Sequence, residues 1–266
     1  MSPAFASKDG FADWLDVYKS IHPQEPGSIL ELCSLNPTLF SALEEKGINR
    51  IVDIPDDFAL SRKQRLQVEA TKSGAPIIEV EKIQEFMEGL QYPLYFLDYE
   101  TMSSLVPYFD GLKPYQQLPT QYSLHVLATP DGELEHMEYL HTDNSNPALP
   151  LTEQLLKDIG DSGTVLVWYE GFEKARNSEL AELLPQHADG LRAVNDRVVD
   201  LMIPFKNLWY VDGKFKGSAS IKSVYPALVP GGQSYKELDI QEGATAQRLW
   251  METVLDGKNP DQKDKI

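Results

Sequence analysis

The sequence predicts an α/β protein: a mixed sheet, antiparallel strands first and α/β alternation after them, flanked by helices and preceded by a helical segment. Three observations carry this prediction. Up to residue 91, apolar residues recur at helical spacing between Gly, Pro and Asn breaks. From Pro93 onward the chain changes to continuous apolar and aromatic runs, the mark of buried strands. Two of those runs flank Pro130-Asp131-Gly132, a turn that joins them as an antiparallel hairpin. The boundary is therefore set at 91/92, with a helical region over 1–91 and a sheet domain over 92–266.

In the first region, Phe11, Trp14, Leu15, Val17 and Tyr18 form an apolar helical stripe. Ser28 reads as the N-cap of a helix carrying Ile29, Leu30, Leu32 and Cys33. Asn36-Pro37 opens a helix over 38–46, stopped by Gly47. Residues 60–71, capped by Ser61, and 80–90 are two further helices.

In the second region, residues 94–101, 120–129 and 133–141 read as strands. An amphipathic helix over 149–159 ends at Gly160, and the apolar strand 164–169 follows. A helix over 172–184 stops at Pro185. Residues 194–203 hold one more apolar run, and 209–215 read as a hairpin around Asp212-Gly213. Short helices over 220–225 and 243–255 complete the order.

The 266 residues are 42% hydrophobic and 24% charged, which excludes a wholly disordered chain, a collagen repeat and a coiled-coil rod. The 24 Lys and Arg against 41 Asp and Glu leave a formal net charge of −17, unfavourable for a wide, non-specific grip on a phosphate backbone. The same surplus supplies carboxylates, the ligands of hard divalent cations. The single cysteine, Cys33, excludes an intrachain disulfide and a cysteine zinc cage. No run approaches about 18 apolar residues, and no basic segment precedes an apolar core at the N-terminus. A cytoplasmic protein without a membrane partner is expected, with its oligomeric state left open.

Three places carry acids where acids need a reason. Asp98 and Glu100 lie two apart in an otherwise apolar strand and so share a face. On a buried face that pair needs a compensating cation; on an exposed strand end both are simply solvated. Glu173 opens a helix directly after a strand, at the sheet edge where open α/β folds build sites. It also fits as an ordinary first-turn Glu facing the helix dipole. Asp200 sits inside the apolar run 198–202 and needs a partner, whether a helix terminus, Arg197 or Lys206.

In order and context these segments resemble the DEDD (DnaQ-like) 3′→5′ exonuclease superfamily of the ribonuclease H-like fold. The chain is more similar still to an uncharacterised bacterial family of unknown function within it. That resemblance is carried by YPLYFLDYET, KPYQQLPTQYSLH, FEKARNSELAELLP, RVVDLMIPF and GSASIKSVYPALVP, and it covers residues 28–255. It implies a two-metal site for Mg2+ or Mn2+ with Asp98, Glu100 and Glu173 as catalytic metal ligands. Asp98 would bridge both ions, Glu100 hold the first and Glu173 the second through water, with Asp200 a supporting or metal residue. Glu170 stands where the superfamily usually has Asn, and Phe-Glu at the second motif is already found in the similar family. That family also carries a fourth carboxylate in a Tyr-Cys-x-x-Asp-Thr segment, and no counterpart follows Trp250. The resemblance therefore implies a domain truncated before its last helix, an incomplete metal site, and a linked upstream RecB-like nuclease module in the parent protein.

The partner so implied is nucleic acid, at single-stranded ends. Tyr115, Gln117 and Lys222 are the candidate substrate-binding residues, with Tyr122 as a further groove residue. Loop and strand packing is the simpler explanation of the tyrosines and the glutamine. Lys214, Lys216 and Lys222 cluster around Gly217–Ser220, either as a phosphate cradle or as a solvated hairpin. Residues 39–55 resemble a helix–hairpin–helix element, which touches a DNA backbone or serves as a packing linker. His125 reads as a satisfied core or edge histidine, and His136 and His141 as surface residues. Two alternatives to a nuclease stand beside this reading: a non-catalytic nucleic-acid-binding or scaffold domain, and a phosphoesterase for a small nucleotide.

Overall fold

The computed structural model describes residues 8–21, 25–231 and 243–258. They divide into two compact units, Met1–Glu85 with Met202–Gln233 and Phe86–Leu201 with Ser234–Ile266. Among the described residues no helix is long and apolar enough to cross a membrane.

The first unit opens with α1 (Lys8–Ile21), whose Phe11 and Trp14 rings pack on Phe40 at 5.8 and 5.5 Å. In α2 (Pro37–Glu45) the Asn36 side chain accepts the Leu39 N–H, and Pro37 occupies a position where no N–H is needed. A reciprocal Ser61–Gln64 cap opens α3 (Arg62–Ser73), and Gly74 in left-handed conformation ends it. Ile29, Leu32, Leu43, Ile51, Ile54, Phe58 and Val68 form the core of this unit. The helix expected from Ser28 is only a 3-10 turn, Ile29–Glu31. Tertiary bonds take the backbone groups a helix would have used. Gln67 accepts from the Cys33 N–H at 2.8 Å and donates to the Glu31 carbonyl, and Gln64 donates to the Cys33 carbonyl at 3.0 Å. A short strand β1 (Ile77–Ile78) and helix α4 (Val80–Glu88) follow.

The second unit is built on a five-stranded mixed sheet flanked by helices, as the sequence predicts at that level. Strands β2 (Leu94–Met102), β3 (Leu118–Leu127) and β4 (Leu134–Leu140) form an antiparallel meander. Helix α5 (Ala148–Asp158) leads to β5 (Thr164–Val167), then α6 (Glu170–Leu183), α7 (Ala188–Asp196) and β6 (Val198–Asp200). The spatial order is β4-β3-β2-β5-β6, with β5 and β6 parallel to β2. Leu97, Tyr99, Leu124, Leu151, Leu155, Val165 and Leu180 are among its buried core residues. The apolar run at 194–203 is thus split: its start ends α7 and its middle is the edge strand β6.

Residues 202–233 return to the first unit. They form α8 (Ile203–Lys206), β7 (Tyr210–Val211) and α9 (Ile221–Leu228). The hairpin expected at 209–215 does not form, and β7 pairs instead with β1. The Asp212 carboxylate accepts the Lys214 N–H at 2.9 Å and turns the chain into a 3-10 turn. In the second unit α10 (Gly243–Trp250) packs against β2, with Trp250 2% exposed and its indole N–H on the His141 carbonyl at 2.8 Å.

Candidate active site

Alternation along β2 buries Tyr95, Leu97 and Tyr99 on one face and sends Phe96, Asp98 and Glu100 to the other. Register sets Asp98 beside Ser123 and Glu100 beside Gln121. Pairing of β2 with β5 stops at Phe96–Leu166, so Asp98 lies just past it, at the C-terminal edge of the parallel strands.

At that edge β5 turns into α6 through Tyr169, whose backbone is left-handed at φ 83°. Asp200, the last residue of β6, accepts the Tyr169 N–H at 2.9 Å. Glu173 lies in the first turn of α6 and, like Asp200, is 3% exposed. Burial, and then the charges of Asp98 and Asp200, push the Glu173 pKa up to about 8, against the pull of its own backbone N–H and of Arg176. Its Oε2 is buried with no hydrogen-bond partner. Asp98 is exposed on the strand, and partial desolvation of its carboxyl raises its pKa as well.

The structure therefore brings Asp98, Glu173 and Asp200 together electrostatically, and Glu100 follows Asp98 one pleat on. Helix α6 is held against β2 by a buried chain. The Tyr99 hydroxyl donates to Asn177 at 2.7 Å, Asn177 donates to Asn195 at 2.8 Å, and Asn195 donates to the Lys174 carbonyl. Burial and the Glu173 charge both raise the Tyr99 pKa. Arg176 stacks on Phe172 at 5.0 Å and donates to Gln117 and Glu179, which ties the 103–117 loop to α6. Among the described residues no three His, Cys, Asp or Glu side chains are grouped so as to hold a metal ion.

The remaining candidates fare differently. Gln117 is engaged by Arg176, and Tyr115 stands 67% exposed on the same loop. Lys222 is exposed on α9, in the first unit. Tyr122 is fully buried and donates to Asp158 at 2.7 Å, so it lines no groove. Lys216 is paired with Glu31 at 2.8 Å. His125 stacks on His136 at 4.2 Å, and His136 is exposed as expected. His141, expected at the surface, is 4% exposed because α10 covers it and Tyr139 and the Ser145 carbonyl engage its ring nitrogens. Sequence reasoning passed over Tyr169, Arg176 and Asn177. The last two follow Glu173 by three and four positions, on the same helix face, which was the available signal.

Fold and site together define a mixed α/β domain with a group of carboxylates, Glu173 and Asp200 buried and Asp98 exposed, at the C-terminal edge of its sheet. Residues 95–220, which hold every acid of that cluster, match the model of a family described as a domain of unknown function (DUF2779). The chain is also similar to "Uncharacterized protein MG366" of Mycoplasma genitalium, at 24% identity over 190 residues. The aligned region covers 64% of this chain and 28% of that protein. No solved structure matches.

Proposed function

We propose that the sheet-bearing unit is a metal-dependent phosphodiesterase of ribonuclease H-like fold that trims single-stranded DNA or RNA from the 3′ end. One observation carries the reading. The charges of Asp98 and Asp200 act on Glu173 at one sheet edge, and Glu173 is buried, raised to about 8 and left with an unpartnered oxygen. Arg176 offsets the crowding of acids only in part, and a hard divalent cation is a partner that supplies the remaining positive charge. The donors are all oxygen, which suits Mg2+ or Mn2+. Magnesium is commonly held by one or two carboxylates and completes its shell with water and substrate phosphate, so a full protein cage is not required. The order of antiparallel strands followed by parallel ones agrees with the ribonuclease H-like resemblance.

Asp98 and Glu173 would hold the ion, with Glu100 and Asp200 beside them. When bound, it polarises the scissile phosphate and activates water. The chain's own groups set the stage for that. Asp200 fixes the β5–α6 turn through the Tyr169 N–H, and the Tyr99–Asn177–Asn195 chain locks the helix that carries Glu173. With no cation present, the Glu173 carboxyl carries a proton at neutral pH.

The test is incubation of end-labelled single strands of DNA and RNA with the chain in Mn2+ or Mg2+. Shortening from the 3′ end, abolished in Asp98→Asn and Glu173→Gln, is the expected outcome. Intact ends under both metals, from folded protein, would refute the catalytic claim. Tight binding of the strands without cleavage would favour the scaffold reading.

A further inference from the structure

We infer that Tyr169 is a base-stacking residue, the platform on which the last unpaired nucleobase of a single-stranded substrate lies beside Asp98 and Glu173. The inference rests on the nuclease reading above and adds to it how an acidic protein holds its substrate.

Within the sheet-bearing unit, two described non-glycine residues have left-handed backbone, Tyr115 at φ 60° and Tyr169 at φ 83°. Both are tyrosines, and both are more than half exposed, at 67% and 52%. A bulky aromatic is an unfavourable occupant of that conformation, which Gly or Asn adopts more readily. Packing covers only part of the Tyr169 side chain. Half the side chain is in solvent, and among the described residues its hydroxyl has no hydrogen-bond partner.

The site itself imposes the conformation. Asp200 holds the Tyr169 N–H at 2.9 Å, and the Tyr169 carbonyl accepts from Phe172 at 3.0 Å. The ring lies over Gly171, where a Cβ would come within 3.2 Å of the ring Cζ. It is thereby directed across the start of α6, one helical turn before Glu173. One helical turn on, the buried Oε2 of Glu173 has no partner and is left for a ligand to complete.

The loop tied to α6 through Gln117 and Arg176 exposes Leu105 at 61%, Val106 at 73% and Tyr108 at 47%, beside the charged Asp110 and Lys113. An exposed ring therefore sits one helical turn before Glu173, and exposed apolar side chains lie on a loop bonded to the same helix. With a net charge of −17 the chain is poorly suited to bind a polyanion by charge alone. Stacking on aromatic faces needs no cation and accepts any base.

The experiment measures fluorescence anisotropy of a labelled single strand with the full chain in Ca2+. One strand carries natural 3′-terminal residues, and a second carries abasic residues there. Wild type should bind the natural end about 5- to 150-fold more tightly, the range that one stacked base contributes. Tyr169→Gly should abolish that preference, and Tyr169→Trp should keep it. The Gly variant should melt no lower than wild type, because glycine relieves the left-handed backbone; a residue serving only the fold would melt lower. A preference that survives Tyr169→Gly, or a wild type indifferent to the abasic end, would overturn the stacking role and leave the nuclease reading standing. A wild type that binds neither strand would overturn both.

Discussion

Replacing Glu173 by Gln removes the charge while keeping the shape, and so isolates the electrostatics of the cluster. The wild-type carboxyl titrates at about 8 in the fold against an ordinary 4.5. The folded state therefore keeps a proton that the unfolded chain releases. Each pH step between those values costs the fold about 1.4 kcal/mol. With respect to this group the fold has its full stability below pH 4.5 and loses it as pH climbs to about 8. At pH 7 the accumulated loss is about 3 kcal/mol, large beside a usual domain stability of about 5–15 kcal/mol. Gln carries no such penalty. Glu173→Gln should thus be about 3 kcal/mol more stable than wild type near pH 7 and nearly equal to it near pH 4.5. Urea unfolding of both proteins across that range reads the difference directly. Mn2+ should narrow the gap by stabilising wild type alone. Parallel pH profiles for the two proteins would refute the reasoning, since they would mean that burial and the two neighbouring acids do not hold Glu173 neutral.

Three further perturbations probe what positions the site. Tyr99→Phe leaves the Asn177 carbonyl oxygen buried without its 2.7 Å donor, and urea unfolding should show a loss of about 1–3 kcal/mol. Ser61→Ala breaks the reciprocal cap at the start of α3 and should cost about 1 kcal/mol by the same assay, with metal binding unchanged. Gly163→Ala drives a Cβ into the Pro93 carbonyl at a backbone φ of 89°. Its cost should exceed about 3 kcal/mol, visible as lower soluble yield and a lower melting temperature.

Legibility differed sharply between local and long-range features. The β2 strand was plain because the seven residues from Leu94 to Glu100 mix only apolar, aromatic and acidic types, and the alternation rule then placed Asp98 and Glu100 on one face. The Ser61 cap, the Gly47 stop and the Pro130–Gly132 turn are also local signals. The Ser28 helix failed because Gln64 and Gln67, more than 30 positions away, hydrogen-bond to the backbone around Cys33. The hairpin at 209–215 failed for a similar reason, since β7 found its partner at residues 77–78. At the site, the types and places of Asp98, Glu173 and Asp200 could be read from neighbouring residues. Their mutual repulsion, the orphaned Glu173 oxygen and the strained Tyr169 could not, because each arises where three separate elements converge.

The central claim is that this carboxylate cluster binds a divalent cation, and Mn2+ titration followed by electron paramagnetic resonance tests it most directly. Bound Mn2+ loses the sharp signal of the free ion. The account predicts that the chain depletes that signal and that Asp98→Asn and Glu173→Gln restore it. A wild-type chain that leaves Mn2+ free, or variants that bind it equally well, would contradict it.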